Sequence, residues 1–336
     1  MNQIIECVPN FSEGVDHDII QSITAAIGSV ADVQLLNVDP GRDANRTVVT
    51  FAGEPEAVIE AAFLAIKTAG ELIDMRTQKG THPRMGATDV CPLIPVSNIT
   101  LDEVVVYADR LAKRVGEELQ IPVYLYEDSQ PDKKRSNLAA IRAGEYEGFF
   151  KKIALPGWKP DYGPAEMDAQ RGAAVIGARD FLIAYNINLN TASTHIANEI
   201  AQDVRETGKI IVDESGKKRI PGTLKYVKAI GWYIDEYQKA QVSMNLTNIS
   251  ATPIHVVFDE VCAKAADYGV SVTGSELIGM IPLKAMTDAG RYFLQKQGIT
   301  YVVNETKLID AAIQAMGLNE LAHFEPQKRI IEYQLG

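Results

Sequence analysis

The feature that most restricts this chain is an order of elements that occurs twice: strand, helix, strand, strand, helix, strand. In the first half, residues 3–9 read as a short buried strand, and Ile19, Ile20, Ile23, Ala26 and Ile27 recur at helical spacing within residues 16–29. Val33 to Val38 and Thr47 to Phe51 are β-favouring runs joined by Asp39-Pro40-Gly41-Arg42-Asp43-Ala44-Asn45-Arg46, a turn by composition, which predicts a hairpin. Pro55 opens a helix whose apolar stripe runs from Val58 to Ile73, and Ala87 to Ile94 supplies the closing strand. After a short strand over Ala173 to Ile176, the second half repeats the order: a strand over Phe181 to Leu189, a helix capped by Thr191 or Ser193 and ending at Val204, strands over Leu224 to Ile230 and Ala240 to Leu246, a helix over Pro253 to Tyr268, and a strand over Val270 to Thr273. Each half sets an Asn-bearing polar segment at the exit of its first strand, Pro9-Asn10-Phe11-Ser12 and Asn186-Ile187-Asn188. Between the halves lie a helix over Thr100 to Leu119, a strand over Val123 to Tyr126 and a helix over Asn137 to Tyr146. From Leu155 to Gly172 Gly and Pro recur without periodicity, which marks a linker between modules. The expectation is an α+β fold of two ferredoxin-like (βαββαβ) subdomains in tandem, with helices packed on mixed or antiparallel sheets and domains spanning 1–178 and 179–330.

A length of 336 residues agrees with two modules, because single cores stop growing at about 250–300 residues. Lys plus Arg number 33 against 44 Asp plus Glu, a net charge of −11 that disfavours nucleic acid or an anionic membrane as partner. An anionic ligand must therefore meet a local positive patch. Two are available: Arg42, Arg46, Lys79 and Arg84, and then Lys217, Lys218, Arg219, Lys225 and Lys228. No apolar run is long enough for a membrane span and the N-terminus lacks the pattern of a signal peptide, so a cytoplasmic location is expected. Cys7, Cys91 and Cys262 form no C-x-x-C, which fits reduced thiols, and the histidines show no metal-ligand spacing, so no metal is expected.

The chemistry concentrates in residues 79–92, where His82 shares an aperiodic loop with Lys79 and Arg84. Gly80 and Gly86 are read as positions of unusual backbone conformation, and Pro83 holds His82 extended. An imidazole on a stiff loop suits proton transfer near neutrality. Arg42 and Arg46, beside Asp39, offer forks that match carboxylates, and Asn10, Ser12 and Glu13 can complete the same pocket. Gly274-Ser275-Glu276-Leu277-Ile278-Gly279 lacks the spacing of a nucleotide loop and reads as a backbone nest or helix start. Cys91 lies in an apolar strand with no cationic neighbour fixed by sequence, which disfavours a nucleophile.

KGTHPRMGATDVCPLIP, together with CVPNFSEG, NVDPGRDANRTVVTFAG, GARDFLIAYNINLNT, PGTLKYVKAIGWYIDE, VSMNLTN and VTGSELIGMIP, resembles the glutamate formimidoyltransferase family, the formiminotransferase part of formiminotransferase-cyclodeaminase. The resemblance runs from residue 3 to about residue 325. It implies two ferredoxin-like subdomains with the ligand between them, and transfer of a formimino group from N-formimino-L-glutamate to N5 of tetrahydrofolate, a step of histidine breakdown. In that reading His82 shuttles the proton and Asp39 orients or stabilises its imidazolium, while Asn10, Ser12, Arg42, Arg46, Lys79 and Arg84 bind substrate. Gly163, Pro164, Ala165, Glu166, Met167, Asp168, Ala169, Gln170, Arg171 and Gly172 match the family's folate segment, with Glu166 and Asp168 departing from the vertebrate-type pattern. Tetrahydrofolate is then a co-substrate, its polyglutamate tail drawn to residues 217–228, with no metal, nucleotide or covalent cofactor. The resemblance also implies a homodimer and a stand-alone transferase lacking the cyclodeaminase domain. Formyl exchange between 5-formyltetrahydrofolate and glutamate, or a silent folate-binding module, are the alternatives.

Overall fold

A computed structural model of the chain describes residues 3–42, 44–80, 82–213, 216–299 and 301–335. The chain divides into two units, Met1–Asp180 and Phe181–Gly336, each with its own hydrophobic core. The fold class is α+β, two subdomains in tandem, as the repeated element order predicts.

The first unit contains β1 (Ile4–Cys7), β2 (Asn10–Phe11), α1 (His17–Gly28), β3 (Val33–Gly41), β4 (Arg46–Gly53), α2 (Pro55–Leu72), β5 (Thr88–Ser97), α3 (Leu101–Glu118), β6 (Val123–Leu125), α4 (Leu138–Arg142), α5 (Glu145–Lys152) and β7 (Ala174–Ala178). Strands β1 and β2 occupy one lane, each antiparallel to β4 on one side and β5 on the other. Pro9, which has no N–H to donate, separates them. With β3 outside β4, this is the sheet order of a ferredoxin-like module. The sheet then continues beyond the module, because β7 pairs parallel to β5 and β6 pairs parallel to β7. Parallel neighbours need a crossover of a dozen residues or more. The aperiodic stretch 155–172 belongs to that crossover, inside the first unit, and is not the boundary between modules.

Two local expectations also change. Strand β3 extends through Asp39 and Pro40, which pair with Val48 and Thr47, so the turn is confined to the residues between β3 and β4. The helix expected over 137–146 is two, since Gly144 takes a left-handed φ of 95° and starts α5 afresh.

The second unit contains β8 (Ile183–Leu189), α6 (Thr194–Val204), β9 (Lys209–Asp213), β10 (Gly216–Ile220), β11 (Val227–Ile234), β12 (Lys239–Leu246), α7 (Ile254–Asp267), β13 (Val272–Ile278), α8 (Leu283–Lys296), α9 (Glu305–Met316), α10 (Pro326–Arg329) and α11 (Ile331–Leu335). Its main sheet runs β11-β12-β8-β13, antiparallel throughout. Strands β9 and β10 form a separate hairpin that the periodicity does not announce. Asn186 and Asn188 lie within β8 rather than in a loop, and Asn188 is buried, bonded to Gln241 and Glu320. The stretch Gly274-Ser275-Glu276 is strand β13, not a nest or helix start. Ser275 Oγ donates to Met316 O at 2.6 Å and accepts from Tyr185 Oη at 2.8 Å. Among the described residues no helix is long and apolar enough to cross a membrane.

Candidate active site

Strands β2, β4 and β5 place Asn10, Arg46 and Asp89 near one end of the first sheet, and the loop carrying His82 folds back across them. Ser12 fastens that loop: its backbone N donates to Ala87 O at 2.9 Å and its Oγ to Gly86 O at 2.7 Å. Asp89 is fully buried at the start of β5. One of its carboxylate oxygens accepts Met85 N at 3.0 Å; the other accepts Arg142 Nη2 at 2.7 Å and Arg46 Nη1. Arg46 also donates from Nε and Nη2 to Asn10 Oδ1, at 3.0 and 2.6 Å, while Asn10 Nδ2 donates to Val8 O at 2.8 Å. A guanidinium held on two sides by Asp89 and Asn10 cannot swing away.

The same Arg46 Nη1 lies 3.1 Å from His82 Nδ1, and Nδ1 is 2.7 Å from the carbonyl oxygen of Pro83. The ring nitrogen therefore stands between a donor and an acceptor. With its proton on Nδ1 it donates to Pro83 O and leaves the Nε2 lone pair free. With its proton on Nε2 it accepts from Arg46. His82 is pushed below the ordinary imidazole value of 6.5, first by burial and then by the Arg46 cation; the Pro83 carbonyl and Asp89 act in the opposite sense. At rest the ring is neutral near pH 7.

The other residues picked out by sequence fall into two groups. Arg84 is buried and turned to structural use. Nε donates to Gln78 Oε1 at 2.9 Å and Nη2 to Gln78 O at 3.3 Å, while both terminal nitrogens meet Glu147 and Nη1 also meets Glu145. Its own carbonyl accepts Tyr146 N at 2.8 Å, so Arg84 ties α5 to the loop. Lys79, Asp39 and Arg42 are exposed, and their side chains make no ion pair or hydrogen bond with another described residue. The carboxylate whose field reaches His82 is Asp89, not Asp39.

Gly80 and Gly86 serve the loop differently from the expectation, since neither has a positive φ. They are needed for close approach: an added Cβ would stand 2.1 Å from Ala44 O at Gly80 and 2.4 Å from Ala173 O at Gly86. The segment 163–172 lies along the same loop. Arg171 O accepts Ala87 N at 2.7 Å, Gln170 O accepts Met75 N at 2.8 Å, and Met85 O accepts Ala173 N at 3.3 Å. Within it Asp168 accepts from Gln170 N, Arg171 N and the Arg171 guanidinium, so the acidic residue that departs from the vertebrate-type pattern closes its own turn. Met167 is buried and Pro164 half-buried, whereas Gly163, Ala165, Glu166, Ala169 and Gln170 face solvent.

Residues 4–179 match the family profile of the formiminotransferase domain, N-terminal subdomain, and residues 184–336 match that of the formiminotransferase domain. The chain belongs to the formiminotransferase family. It is 45% identical to the formimidoyltransferase-cyclodeaminase of Dictyostelium discoideum and 46% identical to that of Gallus gallus, over 99% of this chain and 60% of each relative. It thus spans less than two thirds of those relatives. The glutamate formimidoyltransferase of Streptococcus pyogenes serotype M1 is 40% identical over 90% of this chain and 96% of its own.

Two residues of this candidate site escaped the reading of the sequence. Asp89 had a visible signal, a carboxylate inside an otherwise apolar strand. Arg142 had none, because it ends the short helix α4 and meets Asp89 from 53 residues away.

Proposed function

We propose that the protein is a glutamate formimidoyltransferase, converting N-formimino-L-glutamate and tetrahydrofolate into L-glutamate and 5-formiminotetrahydrofolate. The observation that carries this reading is His82: a neutral imidazole whose Nδ1 is supported in either tautomer, on a loop that lies inside the matched family domain. In the reaction N5 of tetrahydrofolate attacks the amidine carbon, and the new C–N bond forms as His82 Nε2 takes the N5 proton. The same proton then passes to the glutamate nitrogen as its bond to carbon breaks, so one imidazole serves as base and then acid. The imidazolium between the steps faces the Arg46 cation, which favours prompt return of the proton.

Asp39 and Arg42, whose side chains engage no other described residue, are assigned to substrate contact, with Lys79 as a further exposed cation. Residues 163–172 are assigned to the folate, on their match to the family segment and their seat against residues 85–87. We read the protein as a homodimer on the resemblance alone, and as cytoplasmic on the sequence pattern.

The test is incubation of the purified chain with tetrahydrofolate and N-formimino-L-glutamate, following the absorbance of the folate product and the release of glutamate. Equal amounts of both products, formed catalytically, are expected. A shift in tetrahydrofolate fluorescence without turnover would make the protein a binder, and turnover only with 5-formyltetrahydrofolate and glutamate would make it a formyl transferase.

A further inference from the structure

Arg46 and Arg84 have every guanidinium nitrogen occupied by the protein, but Arg142 does not. Among the described residues only its Nη2 is bonded, to Asp89 Oδ2. Its Nε is buried with no hydrogen-bond partner, although the side chain retains only 12% of its exposure. A buried donor left unmade is costly, of order 1–3 kcal/mol, and such a group is normally satisfied by something. The charge around it points the same way. Asp89 is shared by two guanidinium cations, leaving a positive surplus beside a neutral imidazole in a chain of net charge −11.

We propose that Arg142, fixed by Asp89 beside Arg46, binds the α-carboxylate of the formimino-glutamate substrate. This inference rests on the transferase reading above. The substrate's departing nitrogen is attached to Cα, so the α-carboxylate must lie next to the atom that receives the His82 proton, whereas the γ-carboxylate is free to reach outward. Tetrahydrofolate offers no rival anion there, since its carboxylates are separated from N5 by the aminobenzoyl ring. Asp89 acts as a positioning residue: shared between the two guanidinium groups, it holds Arg142 through Nη2 and leaves Nε and Nη1 without a partner among the described residues.

The experiment compares N-formimino-glutamate with its α-carboxamide and γ-carboxamide analogues, using wild type, Arg142→Ala and Arg142→Lys. Wild type that turns over none of them with tetrahydrofolate refutes the transferase reading itself. With active wild type, Arg142→Ala is expected to raise KM for formimino-glutamate about 10- to 100-fold while the KM for tetrahydrofolate stays within a few-fold. The α-carboxamide penalty seen in wild type should collapse in Arg142→Ala, and the γ-carboxamide penalty should remain. Arg142→Lys, which keeps the charge but not the guanidinium's several directed donors, should recover part of the α penalty. If the alanine variant does not fold, the lysine variant decides alone, with a reduced α penalty expected. An unchanged α penalty in whichever variant folds overturns the assignment, as does loss of the γ penalty instead.

Discussion

At the residue scale the proposed mechanism makes two opposed demands on His82, a neutral ring at rest and a proton accepted during transfer. Burial and Arg46 impose the first, so the acid limb of kcat/KM should lie at a lower pH than an ordinary imidazole would give. Replacing Arg46 by Gln removes a cation that disfavours the imidazolium. The His82 pKa then rises toward 6.5, the base form is lost at a higher pH, and the acid limb of the pH profile moves upward. A limb that stays in place would show that Arg46 has no hold on the ring. Asp89 and Asp39 make a second contrast. Asp89→Asn leaves two buried guanidinium groups without their counter-charge and should cost about 3–5 kcal/mol in urea unfolding. Asp39→Asn, on an exposed carboxylate with no partner among the described residues, should lie within about 0.5 kcal/mol of wild type. The importance of Asp89 was visible in the sequence as a charge in an apolar strand. The Arg142 contact was not, since nothing in local spacing relates residues so far apart.

At the scale of elements, what could be read in the sequence was what is local. Helix α2 carries its apolar stripe over its whole length, α3 opens with the capping box Thr100 and Glu103, and both ferredoxin-like repeats follow from such signals. Elements defined by distant partners stayed hidden. Strand β7 was legible as an apolar run over Ala173 to Ile176, but its parallel pairing with β5 and β6 was not, and the hairpin β9–β10 has no buried alternation on β10, whose five residues are all exposed. The close seat of segment 163–172 on the His82 loop was equally hidden, although Gly172 hints at it. Gly172 has a φ of +74°, and an added Cβ would stand 2.3 Å from Met85 O. Gly172→Ala should therefore destabilise the protein by about 1–2 kcal/mol from the backbone conformation alone, with the clash adding to it. If residues 163–172 receive the folate, the variant should also raise KM for tetrahydrofolate more than that for formimino-glutamate. Unchanged stability and unchanged KM would separate the segment from both roles.

At the scale of the molecule, an acidic chain binding anionic substrates has to concentrate its positive charge. Lys217, Lys218 and Arg219 on β10, with Lys225 and Lys228 beyond it, form an exposed basic group in the second unit, and among the described residues none of them is in an ion pair. If the polyglutamate tail of the folate runs over this group, its affinity should fall with added salt more steeply than that of the monoglutamate, because exposed charges are screened. Equal salt slopes would leave the group a solvated face. The central claim, that this chain transfers a formimino group through His82, is tested most directly by the turnover number of His82→Ala against wild type, with tetrahydrofolate and N-formimino-L-glutamate and with the fold of both checked by circular dichroism. The account predicts a loss of about 10²- to 10⁴-fold with tetrahydrofolate binding kept within a few-fold. A folded His82→Ala protein that keeps most of the wild-type turnover would contradict it.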